Sequence, residues 1–190
     1  MSRLDLIVGP NGSGKSTFVE FVLADARPGV PFVNADLIAQ QRWPDDPVAH
    51  GHDAAAAAQR IRDELLGRGE PFIAETVASH PAKVELVERA RGVGYHVHLI
   101  VIAVPEALAV ARVAARVDAG GHAVPEVKIR ARYARLWVNV IAMVDRASSA
   151  EVVDNSGPQP RTVATFVAGQ IVGRAHWPAW IPLELVRRWP

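Results

Sequence analysis

Short β-prone runs alternate along the chain with longer stretches whose apolar residues recur at helical spacing. The runs Leu4–Val8, Pro31–Asn34, Phe72–Glu75, His96–Val104 and Glu151–Asp154 are expected strands. Gly14–Ala26, Asp53–Arg68, Ala82–Arg91, Glu106–Ala119 and Glu126–Ala147 are expected helices. Alternation of this kind predicts an α/β fold: a parallel sheet of about five strands flanked by helices. Leu99–Val104 is apolar at every position, which suits a central strand covered on both faces.

Turn residues punctuate the pattern. Arg27-Pro28-Gly29 and the stretch from Arg91 to Gly94 close helices, and Ser79-His80-Pro81 opens one with Ser79 as N-cap. A Gly-rich break, DAGGHAVP at 118–125, separates two helical stretches. The tail from Arg174 gathers Trp177, Trp180 and Trp189 with Pro178, Pro182 and Pro190. That composition predicts an extended arm packing its rings on the domain, so the chain divides into one domain at 1–173 and an arm at 174–190.

Composition narrows the class. The 190 residues are 49% hydrophobic and 22% charged, which excludes a disordered chain and fits one domain with a sizeable core. The absence of cysteine removes disulfides and thiolate metal sites. A net charge of +1 argues against a coat for nucleic acid. Asp5 sits where a signal peptide would carry basic charge, and Leu99–Val104 is far short of the ~20 residues that cross a bilayer. The expectation is a cytoplasmic protein with neither nucleic acid nor membrane as a partner.

One motif carries strong chemistry. The run from Gly9 to Ser16, GPNGSGKS, matches G-x-x-x-x-G-K-[ST], follows an expected strand and opens an expected helix, with Thr17 next. Its glycines let backbone N–H groups wrap phosphates, and the helix N-terminus favours anions. Lys15 is positioned for the β- and γ-phosphates of a nucleotide and Ser16 for Mg²⁺. The guanine-reading N-K-x-D is absent, and the two D-x-x-G matches at 118–121 and 154–157 lack its company. The strand Leu99–Val104 runs into Pro105 before any carboxylate, unlike motor or transport ATPases, so a small-molecule kinase fits better.

In parallel α/β sheets ligands sit beyond the carboxyl ends of the strands, where Asp36 and Glu75 fall. A kinase needs a carboxylate to take the acceptor's proton, which makes Asp36 the candidate base; Glu75 and Thr76 are candidates for gripping the acceptor. Arg112, Arg116, Lys128, Arg130, Arg132 and Arg135 crowd 112–135 against only Asp118 and Glu126. Two cationic helix faces joined by the Gly-rich break predict an Arg-rich lid over a triphosphate. The seven histidines show no compelling metal spacing, and no metal site made by the protein alone is expected.

The ordered set GPNGSGKST at 9–17, NAD at 34–36, ETVAS at 75–79, GGHAVP at 120–125 with RARYAR at 130–135, and VVDNSG at 152–157 resembles the zeta-toxin-like P-loop kinases. The resemblance covers about four-fifths of the chain and implies a nucleotide-kinase-like fold. It also implies ATP and Mg²⁺ as cofactors, a nucleotide-sugar acceptor and an antitoxin partner. By this resemblance Gly9, Asn11, Gly12, Ser13, Gly14, Lys15, Ser16 and Thr17 hold the nucleotide, with Ser16 on the metal and Asp154 and Asn155 near the nucleotide end of the site. Asp36 is the general base, Arg116 and Arg132 clamp the γ-phosphate, and Asn34, Glu75 and Thr76 line the acceptor site. The chain lacks the extra segments of larger toxins, and Ala131 and Leu136 stand where shorter relatives tend to have Arg and Ser. Another metabolite, such as a nucleoside or an antibiotic hydroxyl, remains an alternative acceptor. So does a nucleotide-binding module whose main role is to hold a partner.

Overall fold

The structure, a computed structural model, describes residues 1–119, 121 and 124–190. Among them seven strands form one sheet in the order β2-β3-β1-β4-β5-β6-β7. The strands are β1 (Arg3–Val8), β2 (Phe32–Val33), β3 (Phe72–Thr76), β4 (His96–Ala103), β5 (Ser149–Asp154), β6 (Arg161–Val167) and β7 (Gln170–Ile171). The first five pair in parallel, as the alternating pattern predicts. β6 and β7 were not foreseen; they join antiparallel at one edge and make the sheet mixed. They turn through Ala168 and Gly169, both at positive φ, the twist that suits a two-residue hairpin.

β1 is central, paired to β3 on one side and β4 on the other. The chain leaves β1 toward β2 and β3, then crosses to β4 and β5. This reversal opens a crevice at the carboxyl end of β1, the place where open α/β sheets take their ligands. Both faces of β4 are covered: Val97, Leu99, Val101 and Ala103 enter the larger core, while Ile100 and Ile102 enter a smaller one with Ile7, Val19 and Leu23.

The helix after β1 comprises α1 (Lys15–Phe18), a π-helical stretch Val19–Leu23 and α2 (Ala24–Ala26). Next come α3 (Ala35–Arg42), absent from the sequence expectation, then α4 (Gly51–Arg68), α5 (Ala82–Gly92), α6 (Glu106–Asp118), α7 (Glu126–Arg146) and α8 (Leu183–Arg188). Pro81, not Ser79, stands at the α5 N-cap, and the His80 ring Nδ1 accepts from the Ala82 N–H at 3.2 Å. None of the described helices is long and apolar enough to cross a membrane.

The segment 174–190 carries α8 and is not extended throughout. Ile181, Leu185 and Trp189 are buried in the larger core. Trp189 lies against Phe166 of β6 with ring centroids 4.7 Å apart, and its backbone carbonyl accepts the Trp177 indole N–H at 2.8 Å.

Candidate active site

The loop after β1 turns sharply enough to need glycine at two positions. Gly12 and Gly14 have φ of +75° and +88°, and a Cβ on Gly12 would sit 2.5 Å from the Ala109 carbonyl oxygen of α6. Gly14 is the N-cap of α1, so the first N–H groups of the helix face the cavity without a side-chain cap. Gly9 and the fully buried Ser13 form the underside of this loop. Asn11, Gly12, Gly14, Lys15, Ser16 and Thr17 line a cavity of about 510 Å³.

Asn34, Asp36, Glu75 and Thr76 line the same cavity. Asn34 caps α3, its side-chain oxygen accepting from the Asp36 and Leu37 N–H groups at 2.7 and 3.3 Å. That bond fixes Asp36 in the first turn of α3. No hydrogen bond among the described residues ends on the Asp36 carboxylate. Glu75, near the end of β3, gathers three groups: the Ser16 hydroxyl and the Asn34 amide donate to it at 2.8 Å each, and Lys15 Nζ lies 3.9 Å away. Lys15 also donates to the Pro10 carbonyl at 2.9 Å. Burial pushes the Lys15 ammonium below the usual lysine range; Glu75 and Asp36 pull it back up, and Arg116 and Arg132 push it down. Four charged side chains from separate parts of the chain therefore act on one buried lysine.

The cationic segment divides by face. Arg112, Arg116 and Arg132 line the cavity; Lys128, Arg130 and Arg135 do not. Arg112 donates to the Asn155 carbonyl at 3.0 Å and Arg132 to the Asn11 side chain at 3.3 Å. Arg130 instead pairs with Glu126 at 2.8 Å and Glu106 at 3.4 Å on the outside. Gly120, His122 and Ala123 of the Gly-rich break lie outside the described residues. Tyr133, pushed up to about 12 by burial and then by Glu106, donates to the Val104 carbonyl at 3.0 Å and ties α7 to the end of β4.

Asp154 ends β5 and Asn155 follows it beside the loop, but neither lines the cavity. Asn155 donates to the Ser13 carbonyl at 2.8 Å, while Asp154 accepts from the Ser156 N–H at 2.9 Å and lies 3.6 Å from Arg161. Asn155 thus braces the loop from behind. His96 and His98 flank the Ser149 hydroxyl at 3.1 and 2.8 Å on the face of β4 and β5, remote from the loop.

Sequence reasoning missed other cavity residues. Ala78 has a φ of +59°, and the buried Asn139 amide of α7 donates to its carbonyl at 2.8 Å, holding the turn after Thr76. Ser79, His80 and Lys83 follow that turn along the cavity wall, with Arg62 of α4 beside them. Arg62 had a signal: it falls on the inward stripe of Ala54, Ala58, Leu65 and Leu66, where the helical period calls for an apolar residue.

The family model AAA_33, an AAA domain, matches residues 4–136. The chain belongs to this family. An AAA_33 assignment agrees with the P-loop NTPase fold and the mostly parallel sheet described above. An uncharacterized protein of Haemophilus influenzae is 32% identical over 126 residues, covering 66% of this chain and 88% of its own length. A chain of the PezAT chromosomal toxin–antitoxin system of Streptococcus pneumoniae superposes with a TM-score of 0.65 at 15% identity. The match covers 98% of this chain and 83% of that one. A chain of the AvrRxo1-ORF1:AvrRxo1-ORF2 complex with ATP superposes with a TM-score of 0.70 at 13% identity, covering all of this chain. This chain spans 63% of the AvrRxo1 chain it matches.

Proposed function

We propose that the protein is an ATP- and Mg²⁺-dependent kinase of zeta-toxin type, transferring the γ-phosphate to a hydroxyl of a sugar or nucleotide-sugar-like acceptor. The observation that carries this reading is the convergence of Glu75, Asp36, Arg116 and Arg132 on Lys15 beside a helix N-terminus. One wall of the cavity is built for phosphate and the other offers carboxylates to a hydroxyl. The fold shared with an ATP-bound complex supports the nucleotide.

In the reaction the acceptor oxygen bonds to the γ-phosphorus, the bond to the β–γ bridging oxygen breaks, and ADP leaves. Asp36 takes the hydroxyl proton. Lys15, Arg116 and Arg132 offset charge on the transferring group, and Arg112 adds a further cation at the nucleotide wall. Glu75 orients Ser16 and Asn34 through their two hydrogen bonds. The Ser16 hydroxyl, with the Glu75 carboxylate 2.8 Å from it, supplies hard oxygen donors that would suit Mg²⁺. When bound, the ion would screen the phosphate charge.

The test is ADP formation from Mg-ATP across a metabolite screen with labelled ATP that includes UDP-N-acetylglucosamine. Acceptor-dependent turnover is expected, with Asp36→Ala abolishing it while ATP affinity holds. Near-normal kcat in Asp36→Ala would remove Asp36 as the base. A second reading, a nucleotide-binding module held by an antitoxin-like protein, draws on the fold shared with the PezAT chain. ATP binding without transfer to any acceptor, together with a co-purifying protein, would favour it.

A further inference from the structure

Arg62 is 3% exposed, yet its guanidinium makes only one hydrogen bond among the described residues, from Nη2 to the neutral Gln59 side chain at 2.8 Å. Its Nε is buried with no partner. The adjacent Asp63 attracts the guanidinium electrostatically but makes no hydrogen bond to it; its carboxylate accepts from Arg89 at 2.6 Å and from Gln59 at 2.8 Å. A buried guanidinium with donors left unpaired and no hydrogen-bonded anion is costly.

Arg62 is not sealed in the core, however. It lines the large cavity together with Lys83 of α5 and with Thr76, Ser79 and His80 from the turn after β3. Lys83 forms no ion pair among the described residues, and burial and then the Arg62 charge push its ammonium below the usual range. Two cations therefore line one space, and among the described residues no carboxylate hydrogen-bonds or ion-pairs with either, although the Asp63 charge acts on Arg62 through space. They belong to a different part of the cavity from the phosphate loop. The charges acting on Lys15 are Glu75, Asp36, Arg116 and Arg132, and neither Arg62 nor Lys83 is among them. The carboxylates Asp36 and Glu75 fall between the two cationic groups in function: one group serves the nucleotide, and the other has no role in the chemistry above.

We propose that Arg62 and Lys83 form an oxyanion subsite that recognises a carboxylate or phosphate carried by the hydroxyl acceptor. The planar fork of Arg62 matches two oxygens of such a group, and Lys83 supplies a movable point charge. Ser79 and Thr76 add hydroxyl donors on the same wall. The acceptor is then anionic, and neutral sugars and nucleosides are poor substrates. This inference rests on the kinase reading for the word acceptor; the anion site itself does not.

The test separates the two. Protein saturated with Mg²⁺ and the non-hydrolysable AMP-PNP, so that the phosphate loop is filled, is titrated calorimetrically with inorganic phosphate and, separately, acetate. One equivalent of anion is expected to bind, with affinity falling about tenfold or more in both Arg62→Met and Lys83→Met. AMP-PNP affinity should stay within about twofold in those variants, because neither residue faces the nucleotide. Tighter phosphate than acetate assigns the acceptor as a phosphate ester, and the reverse assigns a carboxylic acid. Lys83→Met keeps the test decisive if Arg62→Met does not fold. No anion bound by the filled wild type, or unchanged affinity in the variants, overturns the proposal. Anion binding that depends on Arg62 or Lys83 but is unaccompanied by phosphoryl transfer would overturn the kinase reading alone. Should AMP-PNP not bind, the same titration on nucleotide-free Lys15→Met decides the anion site.

Discussion

Gly12→Ala and Gly29→Ala form a matched pair that tests how tightly the phosphate loop is pressed against α6. Both glycines have a φ of +75°, so alanine meets the same left-handed backbone penalty, about 1–2 kcal/mol, at either position. Their surroundings differ. A Cβ on Gly29 meets nothing within 4 Å, whereas one on Gly12 lies 2.5 Å from the Ala109 carbonyl oxygen and 3.1 Å from Val113 Cγ2. A backbone carbonyl in a packed helix cannot swing aside as a flexible side chain can, so this contact adds about 1–3 kcal/mol of overpacking. Gly29→Ala should therefore lose about 1–2 kcal/mol and Gly12→Ala about 2–5 kcal/mol. At roughly 2–4 °C per kcal/mol for a chain of this size, thermal unfolding followed by circular dichroism resolves the two. Nucleotide affinity supplies a second readout. α6 carries Arg112 and Arg116, so displacing it should weaken Mg-ATP binding in Gly12→Ala and leave Gly29→Ala unchanged. Equal losses of stability in the two variants would refute the close approach.

Three further outcomes are expected. Arg132→Ala should lower kcat more than it weakens ATP binding, because its contact with charge strengthens as the phosphoryl group transfers; equal kcat to wild type would mark Arg132 as a loop brace for Asn11 only. Trp189→Ala should cost about 3–5 kcal/mol in urea unfolding, since a buried indole packed against Phe166 at a tilt is removed. Loss of less than about 1 kcal/mol would show that the tail does not complete the core. Glu151 is held below the usual carboxylate range, chiefly by its hydrogen bond with His98. Its folded pKa is depressed, so its contribution is full above the unfolded-state value and is lost as pH falls through the folded one. The stability gap between wild type and His98→Ala should accordingly narrow on acidification from neutral pH to about pH 3; a gap independent of pH would contradict the pairing.

The parts of the fold readable from sequence are those encoded locally. The strand, glycine loop and Lys15 helix are contiguous, and the five parallel strands announce themselves by apolar runs covered on both faces. α3 escaped because only Ala39 of its eight residues is buried, which leaves almost no apolar stripe; its real signal was Asn34 as a cap. β6 escaped because its turn uses Ala168 at φ +49°, a residue that ordinarily avoids that conformation. The cluster at 112–135 was readable as charge but not as geometry. Proximity in sequence joined Arg130 to Arg132, while the helix turns one outward to Glu106 and Glu126 and the other to Asn11. Arg62 required the opposite inference, from a charge that breaks an apolar stripe rather than from a charged run.

The sheet ends at both rims in strands of two residues, β2 at Phe32–Val33 and β7 at Gln170–Ile171. A rim that short offers a neighbouring chain too few free N–H and C=O groups to template pairing. The molecule is therefore poorly suited to recruiting another protein by strand addition and is guarded against edge-to-edge aggregation.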